Sequence, residues 1–200
     1  MRSGKVRQVI ASDVKKGPLE RARRTAEEYG ISTGLELVLA DGLSHLEPHS
    51  VDAIIIAGMG GETIAEILAA AGWVSEGNHT LILQPMSKTE ELIRWLALNG
   101  MRVSDARLAE DDGEIYLVLL VELGKSEPRA CELYVPRVLV EKKDPLLKEY
   151  LDRLIRRMTY AVDGIKSSKA PANNDRLKHL ELVLEGLNDM RGEIERANSE

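Results

Sequence analysis

Residues 51–63 have the sequence VDAIIIAGMGGET, and the predicted fold is built around them. Five mostly branched apolar residues, 53–57, precede Gly58-Met59-Gly60-Gly61, and a helical pattern opens at Glu62. A short apolar run bounded by turn residues predicts a strand that is buried on both faces, as in parallel sheets. The carboxyl ends of such strands are where open α/β sheets bind ligands, and glycines allow a planar ligand to approach the main chain. Glycines also occur in strand-to-helix turns for their backbone conformation alone, so the turn by itself leaves both interpretations open.

Alternating strand and helix patterns surround this stretch. Asp112-Gly113 is typical of the turn of a β-hairpin. Pro85 is expected to end the predicted strand 80–84. The predicted strands are 6–11 (followed by Ser12-Asp13), 35–40, 53–57, 80–84, 101–109 and 114–122, and the predicted helices begin near Pro18, Glu62 and Lys88. This alternation, with a terminal antiparallel pair, predicts a Rossmann-like α/β sheet over residues 1–124.

The character of the chain changes after Gly124. Two long helical patterns, 143–166 and 174–197, carry leucine stripes and are separated by a polar loop that contains Pro171. Two such stripes joined by a short loop predict an antiparallel helical hairpin of the coiled-coil type, which we assign to a second domain, residues 136–200.

Composition narrows the class of protein. Of the 200 residues, 44% are hydrophobic and 30% are charged, without an apolar run near the length of a membrane span. The first residues lack the pattern of a signal peptide, so a cytoplasmic protein is expected. A lone cysteine, Cys131, and four histidines without ligand spacing predict neither a disulfide framework nor a metal site.

Charge is distributed unevenly along the chain. The formal net charge is −6, but residues 137–180 contain 11 Lys or Arg against 6 Asp or Glu, a local excess of five positive charges. A local basic surface is what a phosphate backbone recognises, although a run of charge on a helix is more often a solvated face.

Acidic residues follow two of the predicted strands. Asp13 comes after the first strand, and Asp41-Gly42 after the second. In nucleotide-binding α/β sheets a carboxylate at a strand end accepts hydrogen bonds from ribose hydroxyls, and one a strand further on can accept from an adenine amino group. Each aspartate taken singly is more often a loop or capping residue.

In their order and in their residue identities, these segments resemble those of a known family. IASDVKKGPLERAR, ADGL, VDAIIIAGMGGETI and LILQPM, with the later DDGEIYLVLLV and DPLLKEYL, are similar to the bacterial TrmK-type tRNA methyltransferases. That family methylates N1 of adenine 22 of tRNA with S-adenosyl-L-methionine. The resemblance covers about residues 10–151, with a two-helix coiled coil beyond it.

The resemblance implies roles for particular residues. Asp13 would bind the cofactor ribose, and Asp41 with Gly42 the cofactor adenine. The turn that faces the methyl donor and the target base would consist of Ala57, Gly58, Met59, Gly60 and Gly61, with Gln84 and Pro85 as the neighbouring wall. Adenine N1 has a free lone pair, so the reaction needs no base, and none is assigned.

One departure from the family is expected to matter. The family begins with a further strand and a glycine-rich loop for the methionine half of the cofactor, and this sequence starts after both. We expect two interior strands to lack a partner as a result, and a truncated form to be impaired or inactive.

The basic residues of the helical hairpin are the candidates for tRNA contact. They are Arg153, Arg156, Arg157, Lys166, Lys169, Arg176 and Lys178. The same leucine stripes are also compatible with a homodimer.

Two other classes of protein compete with the methyltransferase. One is a catalytically inactive, truncated relative that acts as an RNA-binding or scaffold protein. The other, a nicotinamide-dependent oxidoreductase, is disfavoured because no Gly-x-Gly-x-x-Gly follows a first strand.

Overall fold

The computed structural model of the protein describes residues 6–48, 50–77, 79–167 and 174–197. They form two compact units. The smaller includes the chain up to residue 50 together with 66–74, and the larger includes 51–65 together with the chain from residue 75 onward. The predicted division into domains 1–124 and 136–200 stays a prediction.

The smaller unit is a parallel pair of strands with a helix between them. Strand β1 (Val9–Asp13) pairs with β2 (Leu35–Leu39) from Val9 opposite Leu35 to Asp13 opposite Leu39. Helix α1 (Lys16–Glu28) connects them and buries Ala26. A parallel pair requires such a crossover, so the alternation in the sequence predicted this arrangement.

The larger unit contains a four-stranded mixed sheet. Its strands are β3 (Ala53–Gly60), β4 (Thr80–Ser87), β5 (Met101–Asp111) and β6 (Glu114–Leu123), in the spatial order β3-β4-β6-β5. β3 and β4 are parallel, whereas β6 is antiparallel to both β4 and β5. Helix α2 (Gly61–Ala70) follows β3 directly, and α3 (Thr89–Leu98) follows β4. The mixed Rossmann-like α/β class predicted from the sequence is confirmed.

The β5–β6 hairpin turns where the sequence placed it. Asp112 and Gly113 have φ angles of 48° and 77°. Positive φ at both central residues is the geometry of the tight two-residue turn that Asp-Gly favours.

The expectation that β3 is buried on both faces was wrong. Ile54 and Ile56 are 4% and 6% exposed, but Ile55 between them is 68% exposed. Side chains alternate across a strand, so one face of β3 belongs to the core and the other is left open.

Pro85 does not end β4, as the sequence had suggested. The strand continues to Ser87, and Pro85 lies opposite Met59 where the register of the β3–β4 pair shifts. A proline lacks the N–H that a regular ladder needs, so an irregularity of this kind accommodates it.

The C-terminal part of the larger unit is helical. It consists of α4 (Arg137–Glu141), α5 (Leu147–Ser167) and α6 (Asn174–Ala197). α5 begins at Leu147 and not at residue 143, because Lys143 has a positive φ of 52° and Asp144 precedes a proline, a position that disfavours helix. α5 and α6 contact each other, and their stripes are buried: Leu147, Leu151, Leu154, Met158 and Val162 on α5, and Leu180, Val183, Leu187, Met190 and Ile194 on α6. The predicted helical hairpin is therefore present.

None of the helices within the described residues combines the length and the apolar character that crossing a membrane requires.

Candidate active site

Residues 58–60, predicted as a turn, instead form the end of β3, and Gly61 begins α2. This segment, Gly58–Gly61, is called the glycine turn below, and one side chain attaches it to β4. Gln84 Oε1 accepts a hydrogen bond of 2.9 Å from the Gly58 N–H, and Gln84 Nε2 donates to the Pro85 carbonyl at 3.2 Å. Gly58 has a φ of +78°, in the left-handed region that favours glycine, and open space lies where a Cβ would be. Gln84 thus fixes the backbone at the start of the turn while the side of Gly58 away from it stays accessible.

The last glycine of the turn allows a close backbone approach. A Cβ on Gly61 would lie 2.2 Å from the carbonyl oxygen of Lys88 and 3.1 Å from Leu92 Cβ. The start of α2 and the start of α3 therefore pack main chain against main chain. Gly61 is a packing residue, while Gly60 lies beside the Ser87 hydroxyl, whose Oγ is 3.4 Å from where a Gly60 Cβ would be.

In the smaller unit, the carboxyl ends of β1 and β2 lie side by side. The Asp13 carbonyl accepts from the Ala40 N–H at 3.2 Å, and the Ser12 hydroxyl donates to the Gly42 carbonyl at 3.2 Å. Asp41 is exposed and Asp13 is half-buried, and one Asp13 oxygen, Oδ1, accepts from the Lys15 N–H at 2.7 Å. The two predicted aspartates therefore lie at or just beyond neighbouring strand ends.

Two of the basic residues of the hairpin form ion pairs with defined geometry. Arg153 donates to Glu149 at 2.6 Å and to the Gly113 carbonyl at 3.0 Å, and Lys166 forms an ion pair with Glu181 at 2.7 Å. These two cations are already engaged within the chain. The other predicted residues that the structure describes are exposed, namely Arg156, Arg157, Arg176 and Lys178, while Lys169 lies outside the described residues.

A groove of about 910 Å³ lies between the end of β4 and the helical hairpin. Pro85 and Lys88 line it on the sheet side, and Arg157 and Arg176 on the helical side. Neither this groove nor the place of Lys88 in its lining was predicted from the sequence. Lys88 is an isolated lysine after a proline-containing strand, and only the fold brings it near residues some seventy positions later.

Tyrosines form part of the lining of the groove. They are Tyr116, Tyr134 and Tyr150. Burial raises the pKa of Tyr134 and raises the pKa of Tyr150 to about 12, because the ionised phenolate would lose its hydration there. Both hydroxyls therefore stay protonated at neutral pH and act as neutral hydrogen-bonding groups.

Within the described part of the chain, no group of three His, Cys, Asp or Glu side chains is arranged so that it could hold a metal ion. The acidic residues at the hairpin turn, Asp111, Asp112 and Glu114, are exposed and follow from the turn itself.

The strand order, the glycine turn at the end of a parallel strand and the aspartates near neighbouring strand ends are typical of one class of protein, Rossmann-like α/β proteins that bind a nucleotide cofactor. A family model described as tRNA (adenine(22)-N(1))-methyltransferase, TrmK, matches residues 1–185, and the chain belongs to this family.

Individual relatives agree with this assignment. The tRNA (adenine(22)-N(1))-methyltransferase of Bacillus subtilis strain 168 is 30% identical over 178 residues, which are 86% of this chain and 75% of that protein. The crystal structure of the B. subtilis m1A22 tRNA methyltransferase TrmK superimposes with a TM-score of 0.79 at 27% identity, covering 92% of this chain and 82% of that one.

A third relative was solved with its cofactor. The Sp1610 protein of Streptococcus pneumoniae, in complex with S-adenosyl-L-methionine, has a TM-score of 0.78 at 25% identity over 95% of this chain and 84% of that chain.

Proposed function

We propose that this protein transfers the methyl group of S-adenosyl-L-methionine to N1 of an adenine in tRNA, at position 22 as its family does. The observation that carries the proposal is the backbone of Gly58, which Gln84 holds through a hydrogen bond and which has no other atom within 4 Å of the position that a Cβ would take. The competing function, an RNA-binding or scaffold protein without catalysis, would not need a backbone that is held in one conformation at Gly58.

The residues present fit the cofactor. The carboxylates of half-buried Asp13 and exposed Asp41 follow adjacent strands, and they suit ribose hydroxyls and an adenine amino group. In the larger unit, Ala57 and Gly58 are the other proposed cofactor contacts, and the open space beside Gly58 leaves its main chain accessible. When bound, the cofactor supplies a methyl group on a positively charged sulfur.

The contribution of the turn is alignment. Adenine N1 attacks with a lone pair, so no side chain must first remove a proton, and orienting the base accounts for most of the rate enhancement expected. Gly58, Met59 and Gly60 would present carbonyls and a flat surface to the base, while Gln84 and Pro85 form the adjoining wall. Because N1 is on the Watson–Crick edge, the adenine has to be unpaired when it binds.

The helical hairpin is proposed as the tRNA-binding part of the chain. Arg156, Arg157, Arg176 and Lys178 are exposed, and Lys169 is expected to add to them. Arg153 and Lys166 contribute less, because they already pair with Glu149 and Glu181. We expect simultaneous reversal of Arg156 and Arg157 to glutamate to weaken tRNA binding and its dependence on salt.

A homodimer through the hairpin has less support. The leucine stripes are buried within the chain, so they are not free to pair with a second copy. Light scattering during size-exclusion chromatography tests this, with a monomer mass expected. A cytoplasmic location is proposed from the substrate.

The decisive experiment is methyl transfer from labelled S-adenosyl-L-methionine to a tRNA transcript that carries adenine at position 22. The matched substrate replaces that adenine with guanine. We expect incorporation into the first transcript only. Calorimetric titration of S-adenosyl-L-methionine, with circular dichroism to confirm folding, completes the test. A folded chain that binds tRNA without binding the cofactor would refute the enzyme and favour the RNA-binding alternative.

A further inference from the structure

The end of β4 connects the groove to the glycine turn, because residues of this segment line the groove and also lie next to the turn. Pro85 and Lys88 line the groove, while the intervening strand end carries Ser87, next to Gly60. Gln84, which fixes Gly58, directly precedes Pro85. A polymer whose reactive base lies at the turn would therefore have its neighbouring units at the mouth of the groove.

The charge of the groove favours an anionic occupant. Five Lys or Arg line it against three Glu. Arg94 forms an ion pair with Glu91 at 3.7 Å, and Arg153 lies 3.7 Å from Glu114. Those pairs offset each other, and Glu90 is the third carboxylate, so the lining keeps an excess of two positive charges, to which Lys88 and Arg157 contribute.

Arg157 is the cation best placed for a ligand. Its side chain is exposed, lines the groove, and forms no ion pair or hydrogen bond with the residues that the structure describes. It is close enough to Tyr134 and Tyr150 to act on their pKa values electrostatically. Arg156, the next residue along α5, is equally exposed but does not line the groove.

Aromatic surface accompanies the cations. Tyr116, on β6, is partly exposed and lines the groove with the two more buried tyrosines. Cations that follow a phosphate backbone, combined with aromatic rings on which bases stack, are the two elements by which proteins bind single-stranded nucleic acid. At about 910 Å³, the groove is near the upper end of the range for small-ligand pockets, about 300 to 1,000 Å³.

We infer that this groove binds the unpaired RNA strand next to the target nucleotide, with its phosphates at Lys88 and Arg157 and a flanking base on Tyr116. The inference rests on the proposed function and deepens it. It divides the basic residues of the hairpin into those that line the groove and select unpaired RNA, and those outside it that attract RNA in general.

The test measures binding of a fluorescently labelled tRNA transcript by anisotropy at several salt concentrations. The variants are Arg157→Glu in the groove, Arg156→Glu beside it, and Lys125→Glu, an exposed residue distant from the groove-lining set. We expect the dissociation constant to rise about tenfold or more for Arg157→Glu, with a salt slope smaller by about 1, less for Arg156→Glu, and little for Lys125→Glu. Arg157→Lys, which retains the charge, should restore most of the affinity.

Stacking is tested separately with Tyr116→Ala and Tyr116→Phe. The alanine variant should weaken binding of the transcript about fivefold or more, whereas phenylalanine, which retains the ring, should bind nearly as the parent does. Circular dichroism and urea unfolding show whether each variant is folded.

The outcomes separate this inference from the proposed function. Equal losses for Arg157→Glu and Arg156→Glu, or no loss for Tyr116→Ala in a folded variant, overturn the groove but leave the hairpin as an RNA-binding surface. Absence of methyl transfer by the parent protein overturns the proposed function and is independent of how these binding constants are ordered.

Discussion

At the scale of single residues, Gln84 has the most specific role. It joins β4 to the glycine turn through the Gly58 N–H, and it does not need to touch the substrate to act. We expect Gln84→Ala to lower the rate constant of methyl transfer about tenfold, corresponding to about 1.4 kcal/mol, with little change in folding. Gln84→Glu retains an acceptor for Gly58 and should recover much of the rate.

Steady-state kinetics with tRNA and with cofactor distinguish this positioning role from a contact with the RNA. An effect of Gln84→Ala confined to the KM for tRNA, with an unchanged rate constant, would contradict it.

Gly61 illustrates a residue whose importance is steric. Gly61→Ala places a Cβ within 2.2 Å of a main-chain oxygen that cannot rotate away, and we expect a loss of stability of about 2 to 3 kcal/mol. Gly164→Ala is the matched control. It lies within α5 and has no atoms within 4 Å of the added methyl group, so a gain of up to about 1 kcal/mol is expected.

Urea denaturation of the two variants measures both values. Equal stability of Gly61→Ala and the parent protein would show that the starts of α2 and α3 can separate.

At the scale of elements, Arg153 connects α5 to the β5–β6 hairpin. Its guanidinium donates to the Gly113 carbonyl and to Glu149, and lies 3.7 Å from Glu114. We expect Arg153→Ala to increase amide exchange at the hairpin turn, with global stability almost unchanged since the site is solvent-screened. Hydrogen exchange resolved by peptide measures this. A loss of tRNA affinity as large as that of Arg157→Glu would assign Arg153 to RNA binding after all.

Elements of this protein could largely be predicted from sequence, because their signals are local. Asp112-Gly113 favours a tight turn whatever surrounds it. The apolar residues at helical spacing on α6 predict a helix with the observed bounds, Asn174–Ala197. Pro85 misled the prediction, since its effect depends on the register of the neighbouring strand. The groove was not predictable, because Lys88 and Arg157 meet only through the packing of the hairpin on the sheet.

For the protein as a whole, Tyr150 makes the free energy of unfolding depend on pH in the alkaline range. Its folded-state pKa is raised to about 12 by burial, against about 10 when unfolded. Below pH 10 both states retain the proton and stability is constant. As pH rises from 10 to 12 the unfolded state ionises first, so the native state loses relative stability.

We expect Tyr150→Phe to remove much of this pH dependence, although other groups also titrate there. Urea unfolding at pH 8 and pH 11 compares the two proteins. An identical decline in both would show that Tyr150 is solvated enough to ionise in the native state.

The open side of β3 has a consequence for how the protein behaves in concentrated solution. β3 is an edge of the four-stranded sheet, and residues 53–58, AIIIAG, contain neither a charge nor a proline, with Ile55 68% exposed. Edges with these properties pair readily with other chains, and short uncharged β-branched segments promote fibril formation. Replacing Ile55 by lysine would introduce a charge without removing a core side chain, so aggregation monitored by turbidity should be delayed in that variant.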